Sequence, residues 1–260
     1  MSALLGLKTR LGLARTMAWV GVEDSSTSTD DLRRVVAELS RGRADIVVLS
    51  AQRTTSATVR VAHEAARKVL AGRTILGLAG GPVIADGIGP DLLLQTDAAP
   101  TPFRSHEWSL VGRSFYAGSG LDDALADPRL DVVVVSPHLV EQAAALAPPA
   151  LAASKPWFAH TGSVDEAADL VRRGARRIAF AATGTNAYET VVAHRAVLER
   201  VWAAEMEQVE FAAFRADARL GPAAPGFGAP GFAGSDRSTP GPVVRRGATQ
   251  VRRPGWRRER

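Results

Sequence analysis

Residues 15–207 alternate short apolar runs with longer amphipathic ones. The apolar runs predict strands over 17–22, 44–49, 74–78, 91–95, 108–112, 131–136, 156–160 and 177–182. Most are continuous rather than alternating, as in Val132-Val133-Val134-Val135. A strand that is apolar at every position is buried on both faces, the condition of a parallel sheet covered by helices. Between the strands, apolar residues return at helical spacing over 31–39, 58–70, 164–173 and 186–207, with shorter stretches at 82–86, 121–125 and 140–146. Ser28 or Thr29 can cap the first of these helices. Ser163-Val164-Asp165-Glu166 reads as a capping box: the serine accepts a backbone N–H and the glutamate reaches back to a free amide.

Strand–helix alternation implies right-handed crossovers. Eight such units predict an α/β fold, a closed (β/α)8 TIM barrel, over residues 1–210. An open sheet would hold its ligand at a switch point, commonly on Gly-x-Gly-x-x-Gly. The best approach to that motif is Gly118-Ser119-Gly120, and three residues on stands Asp123, whose carboxylate repels a pyrophosphate. With about 25 residues per unit, against roughly 250 for a typical whole barrel, several helices must be only one or two turns long.

The pattern stops near Asp217. Residues 221–232 repeat Ala-Pro-Gly-Phe units. Glycine and proline break helix and strand, and too little apolar surface is left to offset the ordering entropy. Residues 218–260 are therefore predicted to be a disordered tail. Charge sharpens the division. The 260-residue chain carries +5, but residues 218–260 hold nine arginines against Asp236 and Glu259, a net +7 that leaves −2 for the rest. Such a tail could hold nucleic acid or another polyanion weakly, by counterion release; the plainer reading is a solvated extension. The chain has no cysteine, which excludes disulfides, thiolate metal sites and a Cys nucleophile. No apolar run approaches the ~18 residues of a membrane span. Lys8, Arg10 and Arg15 interrupt the N-terminal apolar residues, so no secretory leader forms. The expected location is the cytoplasm.

Several motifs carry a resemblance. Gly112-Arg113-Ser114 after the fifth strand resembles the Gly-Arg-Ser or Gly-Val-Ser turn of the thiamine phosphate synthase/TenI family. Asp131 through Ser136-Pro137 is similar to that family's sixth strand. Pro156-Trp157-Phe158-Ala159-His160-Thr161-Gly162, a capped helix, Gly174-Ala175 and the eighth strand follow its Pro-x-x-Ala-Ile-Gly-Gly … Gly-Ala-Asp-Gly-Val order. Asp91 to Gln95, then Asp97 and Pro100, has the layout of its fourth strand and loop. The resemblance covers residues 15–203. It implies a TIM barrel that joins a pyrimidine pyrophosphate to a thiazole phosphate with magnesium.

The residues the family uses for that reaction are largely replaced. Its second strand ends Gln-Leu-Arg-Glu-Lys, where this chain has Val48-Leu49-Ser50-Ala51-Gln52, with Arg53 one step on. Its third strand ends Asn-Asp, against Leu78-Ala79-Gly80-Gly81 here. Its strand-four histidine falls near Leu93, and its Thr-rich loop with lysine becomes His138-Leu139-Val140-Glu141. The histidine of a TenI-type tautomerase, two residues past Gly-Arg-Ser, is Tyr116. Losing the metal carboxylate and the pyrophosphate cations removes the charge stabilisation a departing pyrophosphate needs.

If the chain is catalytic, the roles fall to Arg53, Tyr116 and His160. His160 ends a strand at the mouth, where such barrels place catalytic groups; a hydrogen-bonded rim histidine is the plainer reading. Thr161, Gly162 and Ser163, with Thr183 and Gly184, end the last two strands. They have the small, hydroxylated chemistry of a phosphate site on helix N-termini, and equally of simple caps. His138 and Glu141 could form an acid–base pair and Asp97 could take a metal role, although all three fit solvated loops. No metal-ligand spacing appears, so magnesium is implied only for an active synthase. Two functions compete. One is a synthase-like transferase of thiamine-phosphate metabolism; the other is a non-catalytic regulatory or ligand-binding barrel. Both take a small phosphorylated ligand, and a homodimer is compatible with either.

Overall fold

A computed structural model of the chain describes residues 2–22, 28–51, 54–70, 74–96, 101–149, 154–182 and 184–220. Its strands are β1 (Thr16–Gly21), β2 (Ile46–Ser50), β3 (Ile75–Ala79), β4 (Leu92–Thr96), β5 (Leu110–Phe115), β6 (Val132–Val135), β7 (Trp157–Thr161) and β8 (Ile178–Ala181). They pair in sequence order, all parallel, and β8 returns to β1 to close a barrel. This is the TIM-barrel fold that the continuous apolar runs predict. The helices are α1 (Ser2–Leu13), α2 (Thr29–Arg41), α3 (Ser56–Val69), α4 (Pro82–Ala85), α5 (Leu121–Ala126), α6 (Val140–Leu146), α7 (Val164–Arg172) and α8 (Ala187–Leu220). Among the described residues, none is long and apolar enough to cross a membrane.

Side chains alternate between two buried clusters. Val47, Leu49, Leu76, Leu78, Val133 and Phe180 face the helix layer. Met17, Ile46, Val48, Leu92, Leu94, Val132 and Phe158 fill the barrel interior. The interior is so full that one position must be glycine. A Cβ on Gly112 would collide with Leu94 Cδ2 and stand 2.7 Å from Val132 Cγ1.

The N-terminal end of the barrel is stapled and plugged. Asp45, Asp91 and Asp131 each stand one residue before an even-numbered strand. Each carboxylate accepts a backbone N–H from the preceding strand: Thr16 at 2.9 Å, Leu76 at 2.9 Å and Val111 at 2.9 Å. Arg67 and Arg104 hold two of these acids from the side. Leu7 and Leu11 of α1 join the interior cluster and stopper this end. The Arg177 guanidinium donates to the Gly12 and Ala14 carbonyls, closing the last turn of α1.

Two expectations need correction, and two features go beyond the sequence pattern. The sequence pattern gave no sign of α1, whose leucines are spread around the helix; Leu13 is 75% exposed while Leu11 is buried. β5 starts at Leu110 and runs to Phe115, so Gly112-Arg113-Ser114 lies inside the strand and not in a turn after it. The missing Cβ of Gly112 serves interior packing there. Residues 101–109, between β4 and β5, form no helix. Finally, α8 runs to Leu220 and does not stop near Glu207, because residues 208–220 contain no glycine or proline and Gly221-Pro222 is the first breaker. By its internal contacts the chain falls into two units, Met1–Phe214 and Arg215–Arg260. Residues 218–220 of the expected tail are thus helical, and the rest of the tail lies outside the described residues.

Gly112→Ala should lower the unfolding free energy by about 1–3 kcal/mol, the usual cost of overpacking a filled core. The change would appear as a lower urea midpoint at unchanged slope. An unmoved midpoint would mean that the interior yields more easily than its contacts imply.

Candidate active site at the barrel mouth

The C-terminal strand ends form the mouth. Alternation sets which residues face it: Trp19, Ser50, Ala79, Thr96, Ser114, Ser136, His160 and Ala181, each two residues beyond an interior position. Trp19 reaches across the axis. Its ring lies edge-on to His160, with centroids 6.3 Å apart and planes at 88°. On the other side it lines a hollow of about 40 Å³ with Leu94, Ser114 and Tyr116. That volume suits a water molecule and little more. Among the described residues, the hollow beside Trp19 leaves no room for a larger ligand. The Trp19 indole N–H is buried without a partner.

His160 and Tyr116 stand on opposite sides of the Trp19 ring. Tyr116 is half exposed on the rim, and both flank Trp19. Burial holds the His160 imidazolium below its ordinary pKa, while the Glu166 carboxylate opposes that shift. The ring is neutral at pH 7, with one nitrogen free to accept a proton. Arg53 and Thr183 lie outside the described residues, as does Asp97.

The turn from β7 into α7 is a closed hydrogen-bond knot. The Ser163 hydroxyl accepts the Glu166 N–H at 3.1 Å. The Glu166 carboxylate accepts the Gly162 N–H at 2.6 Å. The Thr161 hydroxyl is buried, 2.7 Å from the Ser163 carbonyl and 3.1 Å from the same carboxylate. The capping box therefore reaches one residue further back than its spacing suggests. The reason is that the Ser163 amide already bonds to the Thr161 hydroxyl, at 3.3 Å. Glu166 thus places its carboxylate on the Gly162 amide. On the neighbouring strand, Gly184 is exposed, with φ of +69°, and opens a 3₁₀ turn, Gly184–Asn186, that leads into α8.

Sequence reasoning passed over two groups at the rim. Trp19 reads as one apolar residue among many until its register is known. Ser136, at the end of β6, lies 3.0 Å from Nδ1 of His138; the visible signal was Ser-x-His at a strand end. His138 and Glu141 are not brought together as a pair, since Glu141 bonds to Arg173 at 3.0 Å.

Magnesium fits these residues poorly. It prefers carboxylate and other hard oxygen ligands in octahedral array. The inward positions offer hydroxyls and one imidazole, and among the described residues no acidic or histidine cluster is placed to hold a metal. The more cationic recess is at the opposite end, about 280 Å³ in volume and lined by Lys8, Lys155 and Arg177. Its cations have structural work: Lys155 bonds to carbonyls at the end of α5, and Arg177 to those of α1.

No family model matches this chain, and no curated protein does. Solved structures do match. (S)-3-O-geranylgeranylglyceryl phosphate synthase from Thermoplasma acidophilum, in complex with its substrate sn-glycerol-1-phosphate, is 10% identical with a TM-score of 0.52, covering 76% of this chain and 98% of that one. N-acetylneuraminate lyase from Fusobacterium nucleatum is 11% identical with a TM-score of 0.54, covering 74% of this chain and 77% of that one. At these identities the likeness establishes the barrel and leaves the reaction open.

A ¹⁵N NMR titration should place the His160 pKa below the ordinary value of about 6.5. Glu166→Gln should lower it further, because the carboxylate favours the imidazolium. The folded state binds this proton less tightly than the unfolded chain. The His160 contribution to stability is therefore complete above pH 6.5 and lost as pH falls through the folded pKa. A value at or above 6.5 would contradict the burial argument.

Proposed function

We propose that this protein is a thiamine phosphate synthase/TenI-like barrel of the cytoplasm that binds a small phosphorylated ligand at its mouth and does not run the synthase reaction at enzymatic rates. The observation that carries the binding reading is the 2.6 Å bond from the Gly162 amide to the Glu166 carboxylate. The amides and dipole of a helix N-terminus attract negative charge, here that of the capping Glu166. Ligand phosphate and carboxylate compete for the Gly162 amide, with Ser163 and Gly184 as further candidates and Thr183, next to Gly184 in the sequence, a third. The solved neighbour that holds sn-glycerol-1-phosphate makes a phosphate monoester the natural first ligand to try.

The argument against turnover is electrostatic. A synthase must neutralise a departing pyrophosphate, and removing one charge-stabilising group commonly costs a factor of about 10² or more. The inward residues of the mouth supply none; Arg53 is the nearest cation that the sequence offers to the end of β2. Were the protein catalytic, neutral His160 would carry the proton, with Tyr116 across Trp19 from it and Arg53 on the phosphate. The basic tail adds, at most, weak and salt-sensitive polyanion binding.

Two assays on the purified protein test this. With pyrimidine pyrophosphate, thiazole phosphate and magnesium, thiamine phosphate should not accumulate at ordinary enzymatic rates, on the order of 10 per second. In calorimetry, thiazole phosphate should bind, and Glu166→Gln should bind it several-fold more tightly because the competing anion is gone. Ordinary turnover would refute the degenerate-site reading. Failure of thiazole, pyrimidine and sugar phosphates alike to bind would refute the ligand reading.

A further inference from the structure

A second feature lies on the outer wall of the barrel, between β4 and β5. Gln95 and Arg113 are Cα partners across these two strands. Both point outward, since Leu94, Gly112 and Ser114 on either side of them belong to the interior face. Elsewhere helices cover this outer face; here the connection 101–109 takes that place. It is tied down by the Phe103 N–H, which donates to Gln95 Oε1 at 3.0 Å.

Four buried polar atoms in this one region have no hydrogen-bond partner: Gln95 Nε2, Arg113 Nε, Arg113 Nη2 and, in the covering connection, Ser105 Oγ. The other four such atoms among the described residues are scattered singly over Trp19, Glu38, His63 and His194. Gln95 is 2% exposed. Its orientation is fixed by the Phe103 bond to Oε1, so Nε2 must be a donor. Arg104, next in the connection, is directed to Asp131 at the far end of the strands and neither supplies nor competes for an anion here.

Arg113 is half-buried, but its Nε and Nη2 are buried and have no partner, and buried donors are as a rule satisfied. Nε and Nη2 form one edge of the guanidinium, the edge that grips two oxygens of a carboxylate or phosphate in parallel. A water molecule could satisfy one donor; an oxyanion satisfies both at once and carries the complementary charge. We propose that a small oxyanion binds on this wall, held by the Nε/Nη2 edge of Arg113 and the Gln95 carboxamide beneath the 101–109 connection. The site is separate from the mouth and does not depend on the function proposed above. Thr96 and Ser114, the next residues on the same strands, face the mouth, so occupancy would also brace the β4–β5 side of the rim.

The test reads the Arg113 Nε resonance in full-length protein, freed of other oxyanions, during separate titrations with inorganic phosphate and with acetate. A saturable shift with at least one of them is expected, and the anion that gives it at lower concentration identifies the preferred chemistry. The Gly162 amide, followed in the same spectra, reports mouth binding separately. Gln95→Glu keeps the acceptor for Phe103 and supplies a carboxylate within the protein. It should raise the anion-free Tm and abolish any further rise with the anion. Arg113→Met should abolish the response while leaving the anion-free Tm equal or higher, since it removes two unsatisfied buried donors. An Arg113 resonance indifferent to both anions overturns the proposal, whether or not the variants fold. So does an anion-dependent Tm rise that is unchanged in Arg113→Met.

Discussion

The interior of an eight-stranded barrel is only as wide as the side chains that fill it, and the rest of this structure follows from that packing. Leu94 and Val132 take the space that a Cβ on Gly112 would need. Leu7 and Leu11 stopper one end, and Trp19 closes the axis at the other. Beside Trp19 the described residues leave a hollow of about 40 Å³, room for a water molecule. Within these residues the axis is closed to a larger ligand. The barrel can offer only the last inward residue of each strand and the turns that follow, and this is why the β7–α7 turn and His160 dominate the site.

The two ends divide stability from chemistry, as barrels commonly do. At the N-terminal end, Asp45, Asp91 and Asp131 each use a carboxylate to tie one strand to the next. Cations there are matched to carboxylates or helix carbonyls. At the mouth, the inward groups are neutral, and the one carboxylate of the β7–α7 turn is committed to backbone amide and hydroxyl. An incoming phosphate meets no fixed cation among these inward residues. On the proposed reading its attraction comes from amide dipoles against the cost of displacing Glu166, which limits affinity and gives no handle on a leaving pyrophosphate.

The strands were legible in the sequence because each is buried on both faces and so reads as an unbroken apolar run. α1 was not, because its exposed Leu13 and buried Leu11 blur any stripe. The amphipathic pattern fades near Glu207, but α8 continues to Leu220, just before the first helix breaker, Gly221-Pro222. His160 could be placed at the mouth from its position at a strand end. Trp19 could not be told from a core residue without its register. Gly112-Arg113-Ser114 reads as a turn only by its resemblance to the thiamine phosphate synthase/TenI family; the role of Gly112 in packing depends on Leu94 and Val132, which are distant in the sequence. The juxtaposition of Gln95 and Arg113 is likewise a fact of inter-strand register. Single-sequence periodicity gives the faces of a strand but not which residues meet across two of them.

The central claim is that the mouth recognises phosphate by exchanging one anion for another on the α7 turn. A crystal structure with a bound thiazole phosphate monoester tests it most directly. The account predicts the phosphate on the rim above Trp19, within hydrogen-bond distance of the Gly162 amide, with the Glu166 carboxylate displaced from it. A phosphate seated instead in the recess of Lys8, Lys155 and Arg177, with Glu166 still on the Gly162 amide, would contradict it.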